Sequence, residues 1–258
     1  MNNSKTVLIT GASSGIGKEL SKLFAKDNYN LILTARNEQK LDNIAEKLRK
    51  SYNSQITIIK KDLSKTDSAE ELYKEIKSRN LEINILINNA GFGKSGPFYS
   101  GDNETYSEMI RLNVLSLTIL TKLVLKDMIK NGSGKILNVA STGAYVPGPY
   151  TAVYYATKAY VLSFTEAISN EIKNAGINIS VLCPGPTLSG FAERAGRENS
   201  KIAMNSESVA RIAYKGLLKN KKLIIPGFTN KIAVFFSKLL SGKLTAGFIS
   251  RMQKSKMK

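Results

Sequence analysis

Tyr154 and Lys158 stand four residues apart in a stretch of helical patterning, so the phenol and the ammonium share one face. A tyrosine hydroxyl ordinarily titrates near pH ~10, too high to exchange protons efficiently at neutral pH. A neighbouring ammonium lowers that value toward the range where an acid–base catalyst works best. Lowering it by ~3 units corresponds to about 4 kcal/mol of preferential stabilisation of the phenolate. Ser141 closes the apolar run 134–140, and open parallel sheets present ligand-binding groups at such strand ends. Taken alone, Tyr-x-x-x-Lys is also a common pair on helix surfaces.

A second constellation lies at the start of the chain. The first apolar run ends in Thr10-Gly11-Ala12-Ser13-Ser14-Gly15-Ile16-Gly17, and a helix begins at once. Glycines let the backbone turn tightly and approach a pyrophosphate, while the helix N-terminus offers free N–H donors and a positive dipole end. The spacing is GxxxGxG rather than GxGxxG, and glycine in such a turn can serve geometry alone. Its place after the first strand points to a dinucleotide, whose oxidised nicotinamide would lower the pKa of Tyr154 further. The same octet spells GxSxG, the nucleophile elbow of hydrolases, but that chemistry needs a histidine base and the chain has no His. The second apolar run ends in Thr34-Ala35-Arg36, with no acid to bind a ribose 2′-hydroxyl. Arg36 suits a 2′-phosphate instead, which favours NADP(H); the alternative is one more surface cation.

Composition sets the frame for this chemistry. The 258 residues include one Cys and no His, which excludes Ser-His-Asp triads, Cys-His dyads and the usual His-bearing zinc sites. Strands are expected at 5–10, 29–35, 55–60, 84–88, 134–140, 177–183 and 222–225. Helices are expected near 16–27, 37–51, 66–79, 102–130, 151–174 and 205–219. Unbroken β-then-α alternation predicts an α/β, doubly wound, mostly parallel seven-stranded sheet with helices on both faces. One domain is expected: a dinucleotide-binding catalytic part over 1–225 and a basic, partly apolar C-terminal extension over 226–258.

Together these residues resemble the classical short-chain dehydrogenases/reductases, over roughly 5–225. The resemblance rests on Thr10-Gly11-xxx-Gly15-x-Gly17, Asp62, Asn88-Asn89-Ala90-Gly91, Asn113, Ser141, Tyr154-xxx-Lys158, and Pro184-Gly185 followed by Thr187. Ser141 precedes Tyr154 by 13 residues, the interval customary in that family. Phe92-Gly93, the Cys183–Thr187 loop and the basic extension are most similar to a bacterial subgroup of uncharacterised oxidoreductases related to ketosteroid and long-chain acyl reductases. The resemblance implies a Rossmann-type fold and NADP-dependent interconversion of a carbonyl and an alcohol. It makes Tyr154 the proton donor or acceptor and Ser141 the group that polarises the substrate oxygen. Lys158 would lower the Tyr154 pKa and bind the nicotinamide ribose, and Asn113 would hold a water linking Lys158 to solvent. Ser13, Ser14 and Ile16 complete the glycine turn. Asp62 would accept from the adenine amine beside Leu63, Asn89, Ala90 and Gly91 would line the adenosine ribose, and Pro184, Gly185 and Thr187 would frame the nicotinamide.

The substrate pocket is expected from loops 92–100, 142–150 and 188–204, with an apolar wall of Phe92, Phe98, Tyr145, Val146, Pro147, Leu188 and Phe191. Such a wall favours a lipophilic carbonyl or alcohol, and the protein is expected as a homodimer or homotetramer. Rival readings are a catalytically idle NADP-binding protein and a nucleic-acid binder. The net charge of +18 prompts the latter, but no nucleic-acid motif accompanies it. After Glu207 there are 12 Lys and Arg and no acid. A helix there could lie on an anionic membrane, although packing of its apolar side on the substrate loops or a second subunit is the favoured expectation. No targeting segment precedes Val7, and a lone thiol suits a cytoplasmic protein.

Overall fold

Apolar side chains alternating between two covered faces build the sheet. β1 (Thr6–Thr10) sends Val7 and Ile9 to one face and Leu8 to the other, and all three are fully buried. The computed structural model describes residues 5–196, 198, 200 and 202–255. Residues 1–4, the tail's Lys256 and Lys258, and Arg197, Asn199 and Lys201 of the 188–204 loop lie outside the described residues.

After β1 come β2 (Asn30–Ala35), β3 (Ile56–Lys60), β4 (Ile85–Asn88), β5 (Gly134–Val139) and β6 (Ile177–Leu182). The two-residue strands β7 (Thr187–Leu188) and β8 (Met204–Asn205) pair separately, and β9 (Leu223–Ile224) returns to the main sheet. That sheet is parallel and seven-stranded, in the order β3-β2-β1-β4-β5-β6-β9. The expected doubly wound architecture is therefore present, with each strand within two residues of its expected bounds. Strand order reverses between β1 and β4, which opens a crevice beyond their carboxyl ends.

Helices α1 (Gly15–Lys26) and α2 (Glu38–Ser51) cover one face together with α8 (Ser206–Leu218), through Leu20, Phe24, Leu41, Val209 and Leu217. The other face carries α3 (Ser68–Ser78), α5 (Leu117–Lys130) and α6 (Ala152–Glu171). The single helix expected over 102–130 is not continuous. α4 (Asn103–Ile110) leads into a π turn over Arg111–Ser116 before α5 begins. The wider turn sits where the buried Asn113 binds both backbone groups of Phe92, with Oδ1 accepting from N at 3.1 Å and Nδ2 donating to O at 2.9 Å.

Between the sheet and its helices runs a buried polar chain. Asn88 Nδ2 donates to Thr121 Oγ1 and to Asn138 Oδ1, both at 2.9 Å, and Asn138 Nδ2 donates to Thr165 Oγ1 at 3.0 Å. Truncating Asn138 to Ala takes one buried bond from Asn88 and one from Thr165, so the variant is expected to lose about 2–3 kcal/mol, read as a lower urea midpoint at unchanged slope.

Beyond β9 the chain forms α9 (Phe228–Leu239) and α10 (Gly242–Lys254), while the four-residue α7 (Phe191–Arg194) lies between β7 and β8. The tail folds back over the carboxyl ends of the strands. Lys238 Nζ lies 5.2 Å above the Tyr145 ring, and Gln253 Nε2 donates to the Tyr155 hydroxyl at 3.2 Å. Among the described residues no helix is long and apolar enough to cross a membrane.

Candidate active site

The residues singled out from sequence follow the carboxyl ends of β1 to β6 or lie on the π turn and α6, and most of them line one cavity of about 1050 Å³. At one end of it the glycine turn is stitched to the β4 end. Asn89 N and Ala90 N both donate to Thr10 Oγ1 at 3.0 Å, and Asn89 Nδ2 donates to the carbonyls of Thr10 and Gly11 at 3.0 and 3.1 Å. Gly11 adopts φ +66°, and a Cβ there would fall 2.9 Å from Ala90 Cα; at Gly17 it would fall 2.5 Å from the Gly11 carbonyl oxygen. Gly17 thus packs the turn, whereas Gly11, Ser13, Ser14, Gly15 and Ile16 face the cavity. The N-terminus of α1 has no side-chain cap and no acid in its first turn. Its N–H groups and dipole are left for an anion in the cavity.

Arg36 is exposed on the cavity rim and makes no ion pair among the described residues. Asn37 and Lys40 line the same end, and Asn37 Oδ1 caps α2 by accepting from Lys40 N at 2.8 Å. The sequence reading missed Lys40, although its place four residues after Arg36 in a first helical turn was the signal. Asp62 lines the wall beside the buried Leu63, with Oδ1 held by Ser64 N and Ser64 Oγ at 3.0 and 2.7 Å. Ala90 and Gly91 continue this wall. Pro184, Gly185 and Thr187 close the opposite side, where a Cβ on Gly185 would meet Asn230 Oδ1 of α9 at 2.3 Å.

Tyr154 and Lys158 both line the cavity and both are buried. The Tyr154 ring packs on Phe191 at 5.2 Å and Tyr155 at 6.0 Å, and Lys158 Nζ lies 5.8 Å from its centroid. Lys158 Nζ donates to the Val139 carbonyl at 2.7 Å. Burial pushes its pKa down to about 8, against a smaller opposing influence from Cys183. Asn113 does not reach the cavity. Its Nδ2 also donates to Thr157 Oγ1 at 3.1 Å, and Thr157 Oγ1 donates to the Tyr154 carbonyl at 2.7 Å. It therefore ties the Phe92 loop to the turn of α6 that carries Tyr154. A Cβ on Gly91 would lie 3.0 Å from Asn113 Oδ1 and 3.4 Å from Lys158 Nζ, so the three residues interlock. Ser141 also stands behind the wall formed by Ala140, Thr142 and Gly143. Its Oγ accepts from Gly143 N at 3.1 Å and reaches the Pro184 carbonyl at 3.5 Å.

The apolar wall differs from the one expected. Phe92, Val146 and Phe191 line the cavity. Phe98 instead stacks on Tyr106 outside it, Tyr145 turns its hydroxyl toward Cys183 Sγ at 3.9 Å, and Pro147 and Leu188 also lie off the wall. The missing surface comes from the tail, through Val234, Phe236, Leu240, Leu244, Phe248 and Ile249.

Comparison with known proteins agrees with this geometry. Residues 5–200 match the family described as short chain dehydrogenase. The 17-beta-hydroxysteroid dehydrogenase type 3 of Mus musculus is 38% identical over 182 residues, 69% of this chain and 58% of that protein. The chain thus spans less than two thirds of that relative's length. An uncharacterized oxidoreductase of Staphylococcus epidermidis is 30% identical over 205 residues, covering 77% of this chain and 87% of its own. Among solved structures, the short-chain dehydrogenase from Sphingobium yanoikuyae in complex with NADPH superposes with a TM-score of 0.84 at 30% identity, covering 91% of this chain and 94% of that one.

Proposed function

The chain belongs to the short chain dehydrogenase family, and on that premise we propose that it is an NADP-dependent oxidoreductase interconverting a carbonyl and an alcohol. One observation carries this reading: a single cavity joins the uncapped N-terminus of α1 to the buried Tyr154–Lys158 pair. The groups present fit the cofactor. The first N–H groups of α1 and the Gly11–Ile16 turn would hold its pyrophosphate, Asp62 and Leu63 its adenine, and Pro184 to Thr187 its nicotinamide. When bound, the nicotinamide supplies or receives the hydride.

The chain's own residues manage the proton and the geometry. The Tyr154 hydroxyl gives a proton to the substrate oxygen in reduction and takes it back in oxidation. The Lys158 ammonium stabilises the phenolate that this leaves. From behind the wall Ser141 steadies Gly143 through the bond its Oγ accepts, while Asn113 keeps Gly91 and the Tyr154 turn in register. The wall of Phe92, Phe191 and the tail excludes water and favours a lipophilic substrate. We place the protein in the cytoplasm, as its lone free thiol suits. We assign it a homodimer or homotetramer, for which exposed Ile110, Leu115 and Tyr160 on neighbouring elements supply an apolar face.

Titration with NADPH followed by fluorescence, then turnover on a panel of carbonyls, tests the reading. Binding without turnover on any carbonyl would favour an idle nucleotide-binding protein, and failure to bind would end the proposal. Cofactor choice has its own test. Arg36→Asp removes one charge-assisted contact and repels the 2′-phosphate, at a cost of about 1.5–3 kcal/mol in NADPH affinity. NADH is expected to gain in relative preference, and an unchanged NADPH/NADH ratio would show that Arg36 does not read the phosphate.

A further inference from the structure

The tail turns an apolar strip outward, and we propose that this strip docks the protein on an anionic lipid bilayer. In α9, Phe228, Ile232, Phe235 and Leu239 recur at i, i+4, i+7 and i+11, which aligns them along one side of the helix. They are 76%, 41%, 61% and 67% exposed, and none of them lines the cavity. Val234, on another side, is the α9 residue buried against the body. Their neighbours Phe236 and Leu240, with Leu244 and Phe248 of α10, are at least half exposed yet also line the cavity. Those four form the mouth of the cavity, and the strip adjoins it.

Charge selects the partner. No acidic residue follows Glu207, and of the cations beyond it only Arg211 is ion-paired among the described residues, to Glu207. Lys231 and Lys238, seven residues apart, border the strip along one flank, and Lys243, Arg251 and Lys254 lie on α10. A second copy seated on this strip would bring its own acid-free tail and the same cations to the contact. An anionic bilayer satisfies both features, taking the aromatic and aliphatic side chains below the headgroups and pairing the lysines with them. If the oxidoreductase reading holds, the cavity mouth then opens at the lipid, from which a lipophilic carbonyl enters directly. The docking itself does not depend on that reading.

Removing the tail would also strip the cavity wall and the Asn230 contact with Gly185, so point variants of the full chain make the cleaner test. Co-sedimentation uses vesicles of phosphatidylcholine alone and of phosphatidylcholine with phosphatidylglycerol, at low and physiological salt. The native protein is expected to sediment with the phosphatidylglycerol vesicles and to be released as salt rises. The pair Phe235→Ser with Leu239→Ser, and separately Lys231→Gln with Lys243→Gln, should each lower the partition coefficient by about tenfold or more, with unchanged thermal melts. No binding to the anionic vesicles at low salt, equal binding to neutral ones, or variants that bind as the native protein does would overturn the proposal. So would a native dimer that the Ser pair converts to monomers without lipid, since the strip would then belong to a second copy.

Discussion

Tyr154→Phe is expected to lower kcat/KM for carbonyl reduction by about 10²–10⁴-fold while leaving the NADPH dissociation constant unchanged. The substitution deletes one oxygen and nothing else. The ring keeps its packing on Phe191 and Tyr155, and its fit beside Gly93, where even a Cβ would come within 3.1 Å of it. The backbone of that turn stays anchored through Thr157 and Asn113. A large loss of stability is therefore not expected, and a melting temperature close to native should accompany the kinetic loss. The fall should appear in kcat more than in KM, because the phenol acts on the oxygen as charge develops there. Single-turnover reduction under saturating NADPH reads the chemical step. A variant that keeps the native rate there would remove Tyr154 from the proton path.

The fold was legible because its signals are local. Runs such as Val7-Leu8-Ile9 and Ile85-Leu86-Ile87 can be buried on both faces only in a covered parallel sheet, and glycine or polar residues mark the ends of most of them. The end of the cavity lined by the Gly11–Ile16 turn, Arg36 and Asp62 was legible for the same reason, since these residues lie just beyond strand ends. What stayed hidden depends on contacts between distant segments. The π turn at 111–116 sits where Asn113 binds the loop at Phe92, some twenty residues earlier, a contact that no local pattern records. The tail's contribution to the cavity wall required knowing that α9 and α10 fold back over β5 and β6. The burial of Lys158 was also invisible, because the covered face of α6 includes Tyr154, Thr157, Lys158, Thr165 and Ser169 and so reads as polar.

That buried lysine gives the second large effect, because its cost and its use separate by experiment. In the unfolded chain a lysine titrates near ~10.4, whereas burial holds Lys158 down to about 8. The folded state therefore binds fewer protons than the unfolded one between those two values, and stability rises with pH across that window. Below pH 8 the full penalty of a buried ammonium is present, on the order of 3 kcal/mol. Lys158→Met keeps the length of the stem and removes the charge, and it gives up the hydrogen bond to the Val139 carbonyl, worth about 1 kcal/mol. The variant is thus expected to unfold in urea at pH 7 no more easily than the native protein, and to lose that advantage as the pH rises from 8 toward 10. Catalysis should move the other way. Without the ammonium the phenolate that Tyr154 leaves on giving up its proton loses its neighbouring positive charge, and kcat/KM at pH 7 should fall by about 10²–10³-fold. Lys158→Arg should restore the charge but little of the rate, because a planar fork does not fit the place of a point donor between Val139 and Gly91. Urea melts of the native and Met proteins at pH 7 and pH 9.5, beside their pH–rate profiles, decide the matter. A Met variant several kcal/mol less stable at pH 7 would make Lys158 a structural residue, and one that keeps native turnover would break its link to Tyr154.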